Sequence, residues 1–135
     1  MLTDQVIEKA IKETNFQVPE NAVGLHYDCV RIAYEWIDAQ VFVLTPQSSM
    51  ASKHVIESWG ERHIPMSALE VAATIHPKVI GGYGNYNLSK KAIYPDKKRL
   101  EGIKEAGKHP TYQSNDTDKK YSFVEKLIHE KNATK

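Results

Sequence analysis

The chain has almost no means of cross-linking itself. Cys29 is the one cysteine among 135 residues, which excludes an internal disulfide and the usual cysteine-based zinc spacings. Its place among apolar residues at helical spacing predicts a small buried hydrophobe. Long hydrophobic runs are absent too: the apolar stretches are a few residues each, far below the roughly 18 that a membrane-spanning helix needs. A mean hydropathy of -0.51 agrees, and Met1–Asp4 offers no positively charged lead into an apolar core. The expectation is a cytoplasmic protein with no membrane partner. The acceptor patterns at Asn87, Asn115 and Asn132 then have no glycosylation to report.

Catalytic signatures are also missing. His26, His54, His63, His76, His109 and His129 never fall into H-x-x-x-H or H-E-x-x-H. No G-x-S-x-G precedes a helix, and no glycine loop runs into Lys-Ser or Lys-Thr. Gly81-Gly-Tyr-Gly84 shares only its glycine content with a phosphate loop, and tight turns use the same residues. Asp28 and Glu35 share a helical face, but Arg31 between them reads as a surface ion-pair ladder. A protein that is not an enzyme, with no cofactor and no metal, is therefore expected.

What is present is ordinary globular material, 41% hydrophobic and 26% charged, and a length that suits one domain over residues 1–135. Its most regular stretch is Ala22–Leu44. There Val23, Tyr27, Val30, Tyr34, Ile37, Val41 and Leu44 step by four and three, the spacing of one helical face. Leu25, Cys29, Ile32, Trp36 and Val43 form a second apolar track, leaving Asp28, Arg31, Glu35 and Asp38 as a narrow polar stripe. This predicts one long central helix of about 35 Å, buried over most of its surface, with a section able to meet a second copy or a partner protein. The rival reading is that Val41–Leu44, β-branched and aromatic, forms a strand or extended exit before Thr45-Pro46.

Shorter elements surround it. Thr3 and Asp4 cap a helix carrying Val6, Ile7, Ala10 and Ile11 that ends near Thr14. A helix from about Ser49 to Trp59 stops at Gly60. Ser67 and Glu70 fit a capping box that opens the alanine-rich Ala68–Ile75, stopped by Pro77. Lys78–Asn87, with Gly81, Gly82 and Gly84, reads as a turn or short β-hairpin. Ser89–Tyr94 forms a helical turn or a strand. Pro95 and Asp96 start a basic helix with Leu100, Ile103 and Gly107 inside. Residues 107–118 form a mobile loop, and Asp118 caps a last helix with Tyr121, Val124, Leu127 and Ile128 on one stripe, frayed over 132–135. The fold class is thus mostly α, with a minor β-hairpin.

Charge is unevenly placed along this plan. Residues 1–40 hold three Lys/Arg against seven Asp/Glu, and residues 78–108 hold eight against three. Such a basic segment suits the phosphates of a nucleic acid. Two short helices joined through Gly60 and Pro65, a third helix around Asn87–Ile93 or the basic one starting at Asp96 to enter a major groove, and a glycine-rich wing resemble a winged helix in outline, with a longer gap after the second helix than the compact motif has. That resemblance implies a reader of double-stranded DNA. Lys78, Lys90, Lys91, Lys97, Lys98, Arg99 and Lys104 would neutralise phosphates, Asn85 and Asn87 would hydrogen-bond phosphate or base edges, and Tyr83 and Tyr86 would stack or donate. The alternative is a small regulator or inhibitor that binds another protein through the long helix or the acidic N-terminal part.

Overall fold

A computed structural model describes residues 1–47, 53–82, 85–112 and 121–126. Its helices are α1 (Asp4–Glu13), α2 (Tyr27–Asp38), α3 (Lys53–Gly60) and α4 (Met66–Ile75). The strands are β1 (Gly81–Gly82), β2 (Asn85–Tyr86), β3 (Ala92–Tyr94) and β4 (Tyr121–Val124). The fold is therefore mostly helical with two small strand pairs, β1 antiparallel to β2 and β3 parallel to β4. One hydrophobic cluster runs from Ile7 of α1 through α2, α3 and α4 to Ile103.

α1 forms as its caps dictate. The Thr3 hydroxyl accepts from the Val6 N–H at 3.3 Å, satisfying one of the unpaired donors of the first turn. Ile7 and Ala10 then face the core.

The single helix expected over Ala22–Leu44 is corrected to the twelve residues of α2, a length of about 18 Å. Pro19–Ala22 is a 3-10 turn, and Gly24 takes φ +73, which ends any continuous helix there. His26 restarts it, its Nδ1 accepting from the Asp28 N–H at 3.0 Å. At the far end buried Gln40 behaves like a piece of backbone. Its amide donates to the carbonyls of Trp36 and Ile93, and its Oε1 accepts from the Ile93 N–H, each at 2.9 Å. Beyond it the chain is extended: Ser89 N–H donates to Val41 O and Val43 N–H to Asn87 O, both at 2.8 Å, around a Phe42–Leu88 bridge. The rival reading of Val41–Leu44 describes this exit. Val23, Val41 and Leu44, the outer members of the apolar seam, are exposed.

The buried axis is shared with α4, in which every residue from Ser67 to Ala73 is buried. Ala68, Ala72 and Ala73 let neighbours approach closely, and α4 packs against both α1 and α2. The capping box does not form. The helix begins one residue earlier, after Pro65, which supplies no side-chain cap. Ser67 Oγ is buried without a hydrogen-bond partner, while Glu70 Oε2 accepts from the distant Gln17 N–H at 2.9 Å.

Two further helices of the sequence plan are replaced. The basic helix after Asp96 is a single 3-10 turn, Lys97–Leu100, started by Asp96 Oδ1 accepting from the Lys98 N–H and ended before Gly102 at φ +85. Tyr121 and Val124 lie on strand β4, not on a helix; Leu127, Ile128 and the frayed 132–135 lie outside the described residues. β4 is fixed across the fold by the Trp36 indole N–H donating to Tyr121 OH at 2.9 Å. The loop expected over 107–118 is described to Tyr112, and to there Gly107 N–H and His109 N–H donate to the carbonyls of Gly60 and Glu61 at 2.8 Å.

Candidate nucleic-acid interface

The hairpin expected over Lys78–Asn87 is formed by β1 and β2. Gly81 has φ +110, and a Cβ there would stand 2.1 Å from Asn85 O, so the position admits only glycine. Asn87 lies behind the hairpin, buried, and joins three strands of chain. Its Oδ1 accepts from the Ile80 N–H at 2.7 Å, and its Nδ2 donates to Val43 O at 3.1 Å and Lys78 O at 3.0 Å. These bonds use the capacity of a side-chain amide almost fully. Asn87 is therefore a structural pin, correcting its expected place on a base edge or phosphate. Tyr86 is corrected likewise: it is buried in the hydrophobic cluster. Tyr83 lies outside the described residues.

Arg99 is also removed from the expected surface. Its Nε and Nη2 form a bidentate pair with Glu125 at 2.6 and 2.7 Å, and Nη1 reaches Glu35 and Asp38 at 3.0 Å each. Planar two-point contacts of this kind are the strong form of ion pair. The bond from Arg99 holds the Glu125 carboxyl below its usual range against a smaller opposing effect of burial. Burial pushes Asp38 upward, but bonds from His76 and Arg99 outweigh it and leave Asp38 lowered. Lys78 N–H donates to His76 Nδ1 at 3.2 Å, so the ring proton sits on Nε2 and points at Asp38 Oδ1, 2.8 Å away. The ladder expected within α2 is thus divided. Arg31 pairs with Asp28 and Asp4, and Glu35 turns to Arg99.

Lys97 is half engaged. Its ammonium donates to Trp59 O, stands 3.7 Å from Glu61 and lies over the Trp59 and Tyr94 rings. Burial lowers its affinity for the proton, with Glu61 opposing.

Lys78, Asn85, Lys90, Lys91, Lys98 and Lys104 remain exposed. The first four flank Asn87 in the chain. Lys78 is bonded to Asn87 through its carbonyl, and Lys90 and Lys91 follow Asn87 closely enough that the chain cannot carry them beyond about 14 Å from it. Lys98 and Lys104 belong instead to the segment lying on α2, where Arg99 meets Glu35 and Glu105 N–H donates to Asp28 at 3.2 Å. No acidic residue stands between Glu70 and Asp96, a sequence signal that separates the hairpin lysines from those near Arg99. No such signal marks the partner of Arg99, because Glu125 is 26 residues away.

Other chemistry is sparse. Cys29 is buried, and burial pushes its thiol up to about 11, so it is not a ready nucleophile. Among the described residues no three His, Cys, Asp or Glu side chains gather to hold a metal ion, and no helix is long and apolar enough to cross a membrane. No protein-family model, curated protein or solved structure matches the chain.

Proposed function

We propose that the protein binds double-stranded DNA without catalysis, by phosphate contacts from Lys78, Lys90 and Lys91 with the Asn85 amide beside them. The observation that supports this reading is that exposed Lys78, Lys90 and Lys91 flank the buried Asn87 in a stretch of chain with no carboxylate, with Lys78 O bonded to Asn87. The order α3, α4, β1, β2 follows the helix, helix, wing order of a winged helix, and in this reading the hairpin is the wing. α4 has no exposed face for a major groove, since Ser67 to Ala73 are all buried. Contact is therefore to the phosphate backbone and carries little base discrimination.

Titration of a duplex at varied salt tests the reading. Three phosphate contacts give a slope near −2.7 in log K against log salt, a loss of about 40-fold between 50 and 200 mM. Lys78→Glu, Lys90→Glu and Lys91→Glu together are expected to abolish binding, while Lys98→Glu with Lys104→Glu changes it little. Absence of duplex binding at low salt, or binding indifferent to the triple change, would falsify the proposal.

A second reading, attachment to a partner protein, is supported by the exposed apolar side chains of Val41, Leu44 and Ile80 beside the same strands. Leu44→Glu would then dissolve a complex recovered from cells while leaving duplex affinity intact.

A further inference from the structure

A cleft of 480 Å³ opens between the end of α1, the side of α4 and the β1–β2 hairpin, within the size range of small-molecule sites. Its wall holds the carboxylate of Glu70. Among the described residues three carboxylates are buried, Asp28, Glu57 and Glu70. Asp28 is paired with Arg31, and Glu57 stands within 3.3 Å of the rings of His54 and His63. Glu70 has no cationic partner among those residues; it accepts from the neutral Gln17 N–H. A buried carboxylate with only a neutral donor beside it keeps unused capacity for a cation.

Two threonine hydroxyls share the wall with Glu70. Thr14 Oγ1 donates to Ala10 O at 2.6 Å, and Thr74 Oγ1 donates to Glu70 O at 2.9 Å. Both hydroxyls line the cleft, and Thr74 Oγ1 also accepts from Thr14 Oγ1 at 3.2 Å, so what they offer an occupant is the lone pairs left over from these contacts. Around the Glu70 carboxylate the cleft offers the threonine oxygens, with Asn15 and Gln17 able to accept or donate. A single carboxylate with neutral acceptors falls short of the six to eight oxygens calcium takes, and the space is far larger than an ion.

We propose that this cleft binds an organic cation whose head group carries N–H donors, an alkylammonium or a guanidinium, with Glu70 as its counter-ion and Thr14 and Thr74 as acceptors. The cleft shares the β1–β2 hairpin with the proposed DNA interface but uses none of its lysines, and it does not depend on that reading.

Titration of the full chain with agmatine, followed by the backbone amide resonances of Gln17 and Thr74, tests it. Saturable shifts at millimolar agmatine are expected, and choline, a cation with no N–H, produces none. Glu70→Gln keeps an acceptor for the Gln17 N–H but removes the charge, and weakens agmatine by at least about tenfold. Thr14→Val weakens it a few-fold and serves as the second variant should Glu70→Gln fail to fold. The peptide acetyl-Gly-Lys-Gly-amide distinguishes the source. Shifts with the peptide and not with agmatine support the same head-group chemistry supplied by a protein side chain. No shift with either probe, equal binding of choline, or affinity indifferent to both substitutions overturns the proposal.

Discussion

Arg99 and Asn87 sit twelve positions apart in one basic segment, and the fold treats the charges around them in opposite ways. At Arg99 the cation is enclosed by Glu35, Asp38 and Glu125, so its charge is used inside the molecule. At Asn87 a neutral amide holds the backbone, and Lys78, Lys90 and Lys91 are left in solvent. A run of Lys and Arg in sequence is thus not a run of available charge. The charge left available is the remainder after internal pairing, Lys78, Lys90 and Lys91 on the hairpin side and Lys98 and Lys104 near Arg99.

The contrast can be broken at either centre. Arg99→Met leaves three carboxylates without their common cation and is expected to cost about 3 kcal/mol, the low end for breaking a buried pair because Asp38 is part-exposed. Urea unfolding measures it, and duplex affinity of the folded fraction is expected to stay unchanged. A loss of affinity there would erase the distinction between the two regions.

Asn87→Ala is the reverse case. It leaves the Ile80 N–H and the Val43 and Lys78 carbonyls without their bonds, at a cost of about 2 kcal/mol. It also frees the segments that hold the lysines together, so duplex affinity falls although no charge is lost. If affinity survives while stability drops, the hairpin lysines act singly rather than as a set.

The smallest expected effect is in acid. Asp38 and Glu125 titrate below their usual range in the folded state, so the unfolded chain binds more protons as pH falls through about 4. Their contribution is complete above that range and disappears below it. Solvent screening at Asp38 keeps the contribution to about 1 kcal/mol or less. Stability measured against pH is expected to fall less steeply below about 4 in Arg99→Met than in the unchanged protein. Equal slopes would mean that the carboxylates are not held by Arg99.

Legibility followed the range of the interactions. Thr3, the Gly81 turn and the stop at Pro77 act on the nearest few residues, and α1, the hairpin and the end of α4 lie where the sequence places them. The seam from Val23 to Leu44 was a different matter. Its regular spacing continues through Gly24 and past Gln40, but positive φ at the first and three hydrogen bonds at the second stop the helix. Ser67 and Glu70 had the spacing of a capping box, yet Glu70 binds Gln17 across 53 positions. Of the expected interface, the exposed lysines were legible as charges. The withdrawal of Asn87, Tyr86 and Arg99 was not.

By itself the sequence determined a mostly helical chain with a glycine-dependent hairpin and a basic stretch following Pro77, because helix caps, apolar periodicity and backbone freedom are properties of neighbouring residues. The tertiary structure decided which helix is enclosed, where α2 ends and which positive charges remain outside. Those outcomes depend on partners such as Glu35 and Glu125, 64 and 26 positions from Arg99. Burial and pairing of charge are set by whichever groups the fold brings within hydrogen-bond reach, and no local pattern around Arg99 or Asn87 names them.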